Sequence, residues 1–185
     1  MQAIEKKNIY TAEDFELLEE GAPFQLINFD LVMSPSPLLI HQDILFQLSE
    51  IIVLYHIKER KGKWVYAPMD VKFDEGNVLQ PDILYIAEER INEVAKDRVE
   101  GAPDLVIEIL SPSNAYYDLR QKKDVYEKYG VKEYMIIDTV ALNADLYALK
   151  DGIYYLHQRA QKNESLKSVI LPGFILDMNN VFRNL

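Results

Sequence analysis

From His41 onward, apolar side chains recur at Ile44, Leu48, Ile51, Ile52 and Tyr55, the spacing of one helix face, which predicts a helix over residues 40–58. Lys58, Arg60, Lys61 and Lys63 gather around Gly62 at its end, the basic finish and glycine stop that a helix C-terminus favours. Upstream, Thr11 and Asp14 have the spacing of a capping box, opening a short helix through Phe15, Leu17 and Leu18. FQLINFDLVM (24–33) reads as two short strands around a turn near Asn28, with the loop Ser34-Pro35-Ser36-Pro37 behind them.

After the long helix the period changes from helix to strand. Residues 64–68, 71–73, 77–79 and 83–86 are short, rich in β-branched and aromatic residues, and separated by turn signals. A polar helix is expected over 88–97. DLVIEIL (104–110) is the most apolar strand, and a helix over 118–129 follows it, stopped by Gly130. EYMIID (133–138) is a second buried strand. Strand, helix and strand in that order predict a parallel pair joined by a crossover helix. The segments ADLYAL, GIYYLH and KSVIL alternate as antiparallel strands do, and a short helix is expected near 177–182. The class is α/β, a mixed central sheet flanked by helices.

Composition narrows the function more than the fold. The 185 residues suit one domain, 1–185, with a real core. A net charge of −10 argues against a general coat for nucleic acid or anionic membrane. Without cysteine there is no disulfide, no thiolate zinc site and no cysteine nucleophile. The first residues lack the apolar stretch of a secretory signal and no apolar run approaches a membrane span, so a soluble cytoplasmic protein is expected.

Phosphate-binding glycine loops and the GxSxG elbow are absent, and His41, His56 and His157 lack metal-ligand spacing. The informative residue is Glu108. Alternation in 104–110 puts Leu105, Ile107 and Ile109 on one face and Val106, Glu108 and Leu110 on the other. If both faces are covered, Glu108 is buried and needs compensation, either an ion pair with Arg or Lys or a divalent cation. Asp82, after Pro81 and before an apolar strand, is the natural second acid for a hard oxygen-ligand site. On the following helix Leu119, Lys122, Val125 and Tyr126 share one face, so Lys122 points inward rather than Lys123.

QPDILYI, DLVIEILSPSN and DLRQKKDVYEKYGVKEYMIID, in that order, resemble the Uma-type restriction endonuclease family of the PD-(D/E)XK nuclease superfamily. FQLINFDLVMSPSP, His41 and LPGFILDM extend the resemblance over nearly the whole chain. The resemblance implies a restriction-endonuclease-like core and hydrolysis of DNA phosphodiester bonds with Mg2+ or Mn2+. It makes Asp82 and Glu108 the metal ligands and Lys122 the catalytic lysine, which here lies on the helix because Leu110 occupies the usual lysine position. Gln25 stands where the family commonly has a further glutamate, and Gln25 and His41 are possible additional site residues. Asn28-Phe29 replaces the usual Asp-Gly turn. The basic group Lys58, Arg60, Lys61 and Lys63, if near the site, would contact phosphates. The superfamily's habit of pairing its sites implies a homodimer. Two rivals stand beside this reading: a catalytically inactive nuclease fold serving as a binding module, and a hydrolase using Ser111 or Ser113 with Lys122 as base.

Overall fold

The computed structural model describes residues 7–19, 21–34, 36–111 and 117–185, with the side chains of 117–119 also left out. Ser113 and the Leu119 side chain therefore lie outside the described residues. The elements in chain order are α1 (Ala12–Glu16), β1 (Phe24–Ile27), β2 (Asp30–Met33), α2 (Leu39–Glu59), β3 (Lys63–Tyr66), β4 (Val71–Asp74), β5 (Asn77–Leu79) and β6 (Ile83–Ile86). They continue with α3 (Ile91–Val94), β7 (Val99–Glu100), β8 (Leu105–Leu110), a π-helical turn (Tyr117–Lys122), α4 (Lys123–Tyr129), β9 (Glu133–Asp138) and β10 (Asn143–Lys150). The last are β11 (Ile153–Gln161), β12 (Ser165–Lys167), β13 (Ile175–Asp177) and α5 (Met178–Val181).

Six strands form the main sheet in the order β11-β10-β9-β8-β6-β3. β8 and β9 are its parallel pair, joined through α4 as expected, and β6 runs antiparallel to β8. A second sheet, β2-β1-β5-β4-β7, covers part of one face. The alternation of β8 divides the interior. Leu105, Ile107 and Ile109 pack beneath α2 against Ile44, Leu48 and Ile52. Val106 and Leu110 face the other way, toward Val125 and Tyr126 of α4 and toward Val71 and Leu79 of the second sheet. Both faces of β8 are covered, so every one of its side chains is buried. Among the described residues no helix is long and apolar enough to cross a membrane.

Two expected elements differ. The helix over 88–97 is a 3-10 turn at Glu88–Arg90 followed by the four residues of α3. It stops at Ala95, which is extended and bridges to Val99, because the chain is being drawn into β7 beside β4. KSVIL is not a strand beyond Lys167: the buried Glu133 carboxylate accepts from the Ser168 hydroxyl at 2.7 Å, the Ile170 amide at 3.1 Å and the Val169 amide, leaving a loop. The hairpin turn falls at Asn28-Phe29 as read, both at positive φ (51° and 66°). Phe29 is unusual there. Its own amide donates to the Gly76 carbonyl at 2.9 Å, and its carbonyl accepts from the Tyr10 amide at 2.9 Å.

Candidate active site

Asp82 lies one step beyond the last ladder pair of β6 and β8, Ile83 with Ile107, which sets it opposite Glu108 in the antiparallel register. Asp82 is tied to the residue that follows Glu108. The Ile109 amide donates to Asp82 Oδ2 at 2.7 Å, and His41 Nε2 stands 3.1 Å from the same oxygen. His41 reaches it because it opens the buried stripe of α2 that continues through Ile44, Leu48 and Ile52.

Glu108 is 2% exposed and faces α4. Its Oε1 accepts from Lys122 Nζ at 2.9 Å and from the Tyr126 hydroxyl at 2.7 Å. Lys122 is the inward lysine, 4% exposed, whereas Lys123 lies over the Tyr147 ring, its Nζ 3.6 Å from the centroid. Lys122 and Tyr126 meet one oxygen because residues four apart stack on one helix face. Tyr126 is the member that sequence reasoning left among the core residues. The available signal was its spacing from Lys122.

A cleft of about 510 Å³ opens beside Asp82, walled also by His41, Ser111, Gln80, Ala67 and Pro68. Of the three expected site residues, Asp82 alone is in that wall; Glu108 and Lys122 are buried as a pair. Gln25 is not in the wall either. Its Oε1 accepts from the Gln80 amide at 2.8 Å and its Nε2 donates to Ser34 Oγ at 3.3 Å, so it clasps the turn that leads into Pro81 and Asp82. Ser111 is in the wall, and the Lys122 ammonium is held on Glu108. The basic group is not in the wall: Lys58 lies about 25 Å along the α2 axis from His41, at 1.5 Å per residue.

Among the described residues no three of His, Asp and Glu gather into a metal-binding cluster. The two acids nevertheless suit an ion that keeps most of its own water, as Mg2+ does. The Ile109 amide donates to Oδ2, His41 Nε2 lies nearest the same oxygen, and nothing among the described residues bonds Oδ1.

A mixed sheet with a parallel β8–β9 pair joined by a crossover helix, β6 running antiparallel beside it, has the restriction-endonuclease-like fold. The chain belongs to the Uma2 family, described as "Putative restriction endonuclease", whose model matches residues 12–179. It superposes with a TM-score of 0.76 on the crystal structure of a "putative nuclease belonging to DUF820" from Anabaena variabilis ATCC 29413. That likeness covers 94% of this chain and 97% of the other at 19% identity. No curated protein matches the sequence.

Proposed function

We propose that this chain hydrolyses DNA phosphodiester bonds with a divalent cation, Mg2+ or Mn2+, held by Asp82 and Glu108. The observation that carries the reading is the β6–β8 register, which continued by one residue sets Asp82 beside Glu108, with Lys122 on the second of them. When bound, such an ion supplies an activated water and neutralises charge on the phosphate. Asp82 presents its carboxylate to the cleft while its Oδ2 is fixed by the Ile109 amide. Lys122 and Tyr126 orient Glu108, and the Lys122 ammonium brings positive charge toward the phosphate as negative charge grows there.

The experiment is cleavage of supercoiled plasmid with Mg2+, Mn2+ or EDTA, using wild type, Asp82→Asn and Lys122→Met, together with calorimetric titration of each ion. Cation-dependent cleavage, reduced about 100-fold or more in both variants, is the expected result. A wild type that binds neither ion and cuts nothing would overturn the reading. One observation favours a second one: Glu108 is buried and already bonded to Lys122 and Tyr126, as in a nuclease fold kept as a binding module. That module would bind DNA or protein without cutting and give no heat with either ion.

A further inference from the structure

We propose that His41 is a positioning residue for Asp82: its Nε2–H, with the Ile109 amide, fixes Oδ2 and so presents Oδ1 to the cation. The inference rests on the metal-site reading above and gives His41 a defined part in it, behind the ligand pair. His41 is 8% exposed and belongs to the cleft wall. Nε2 stands 3.1 Å from Asp82 Oδ2. Nδ1 is buried and has no hydrogen-bond partner among the described residues. A histidine acting as ligand or general base would need one nitrogen facing the substrate. The Nε2–H tautomer instead satisfies the Asp82 contact and leaves only a lone pair at Nδ1, whereas a proton on Nδ1 would be a buried donor with no acceptor.

Two groups from different elements converge on this one atom, the Ile109 amide of β8 by a hydrogen bond and the His41 ring of α2 at 3.1 Å. A single hydrogen bond leaves a carboxylate free to swing about its Cβ–Cγ bond. Two donors on one oxygen remove that freedom and decide which oxygen faces outward. Partners of this kind behind a metal ligand are worth about 10–100-fold in affinity. His41 is held in turn by its place in the α2 stripe, so α2 packing on β8 reaches the cleft through this ring.

The test is calorimetric titration of Mn2+ into wild type, Asp82→Asn, His41→Phe, His41→Asn and His41→Gln, each also melted in EDTA. A glutamine amide nitrogen reaches the place of Nε2; an asparagine amide nitrogen reaches only that of Nδ1. The expected result is affinity about tenfold or more weaker in His41→Phe and His41→Asn, with His41→Gln largely restored. The Phe and Asn variants should still melt cooperatively in EDTA; if Phe does not, Asn against Gln carries the comparison. Equal affinity in wild type, Phe and Asn variants, alongside its loss in Asp82→Asn, would overturn the role of His41 and leave the metal site standing. His41→Gln binding as poorly as Phe would overturn the donor role as well. No binding by wild type would remove the metal reading and this inference together.

Discussion

Lys122 and Tyr126 meet at a single atom, Oε1 of Glu108, one at 2.9 Å and the other at 2.7 Å. A buried carboxylate with two donors on one oxygen is held in position by both. Removing either donor therefore has a cost that does not depend on catalysis. Tyr126→Phe keeps the ring, which stacks edge-on against Tyr134, and deletes only the hydroxyl. Urea unfolding in EDTA should show a loss of about 1.5–3 kcal/mol, the range for a hydrogen bond to a charged group. A loss below about 0.5 kcal/mol would mean that Tyr126 is not needed to satisfy Glu108.

Glu108→Gln removes the Glu108 charge from beside the buried Lys122 ammonium. The expected cost in EDTA is about 3–5 kcal/mol, and Lys122→Met should cost a similar amount for the opposite reason. Glu108→Gln combined with Lys122→Met removes both charges and should fall well short of the sum of the two single losses. Mg2+ should raise the stability of wild type by mass action and that of the Gln variant much less. Additive losses in a double-mutant cycle would contradict the pairing.

Asp104 and Glu133, neighbours at the start of the parallel pair, should respond to pH in opposite senses. Burial works to raise Asp104, but the Ala87 amide at 2.8 Å, Lys132 at 2.8 Å and Arg90 at 3.1 Å outweigh it, and its carboxyl titrates below the usual range. A depressed folded pKa gives stability that is present above the unfolded value, about 3.9 for Asp, and is lost as pH falls through the folded one. Asp104→Asn should therefore flatten the acid limb of a stability–pH curve. Burial raises Glu133, only partly offset by the Ser168 hydroxyl and the Val169 and Ile170 amides. Its contribution is full below the unfolded value, about 4.3 for Glu, and is lost as pH rises through the folded one. Urea melts between about pH 3 and pH 8 should show wild type declining relative to Glu133→Gln across that upper window. Parallel curves for wild type and either variant would exclude the corresponding shift.

Gln25→Ala strands the Gln80 amide and should cost about 1–3 kcal/mol in denaturant melts. Gln25→Glu keeps an acceptor for that amide and can accept from the Ser34 hydroxyl, so its stability should stay within about 1 kcal/mol of wild type. An unaffected alanine variant would show that the clasp on the turn before Asp82 contributes nothing to stability.

What the sequence made legible follows from periodicity. The two faces of β8, the α2 stripe, the parallel β8–β9 pair and the inward turn of Lys122 all repeat at two residues or at three to four. Contacts between distant segments left no such trace. His41 and Asp82 meet because α2 packs across β8, a fact of topology and not of spacing. Tyr126 is an aromatic on an apolar helix face, which has the same pattern as a plain core residue. The pairing of β1 with β5 in the second sheet, and the loop that Glu133 takes from KSVIL, depend on partners more than 30 residues away.

The placement of Lys58, Arg60, Lys61 and Lys63 at the far end of α2 bears on how a substrate would be measured out. At 3.4 Å per base pair, the roughly 25 Å from His41 to Lys58 corresponds to about seven base pairs of duplex. A helix of DNA lying along α2 with its scissile bond at the cleft would meet this exposed group well downstream of the cut. These cations would then release counterions without touching the chemistry. A duplex ending short of that length would lose affinity and salt sensitivity together while keeping its cleavage rate at saturation.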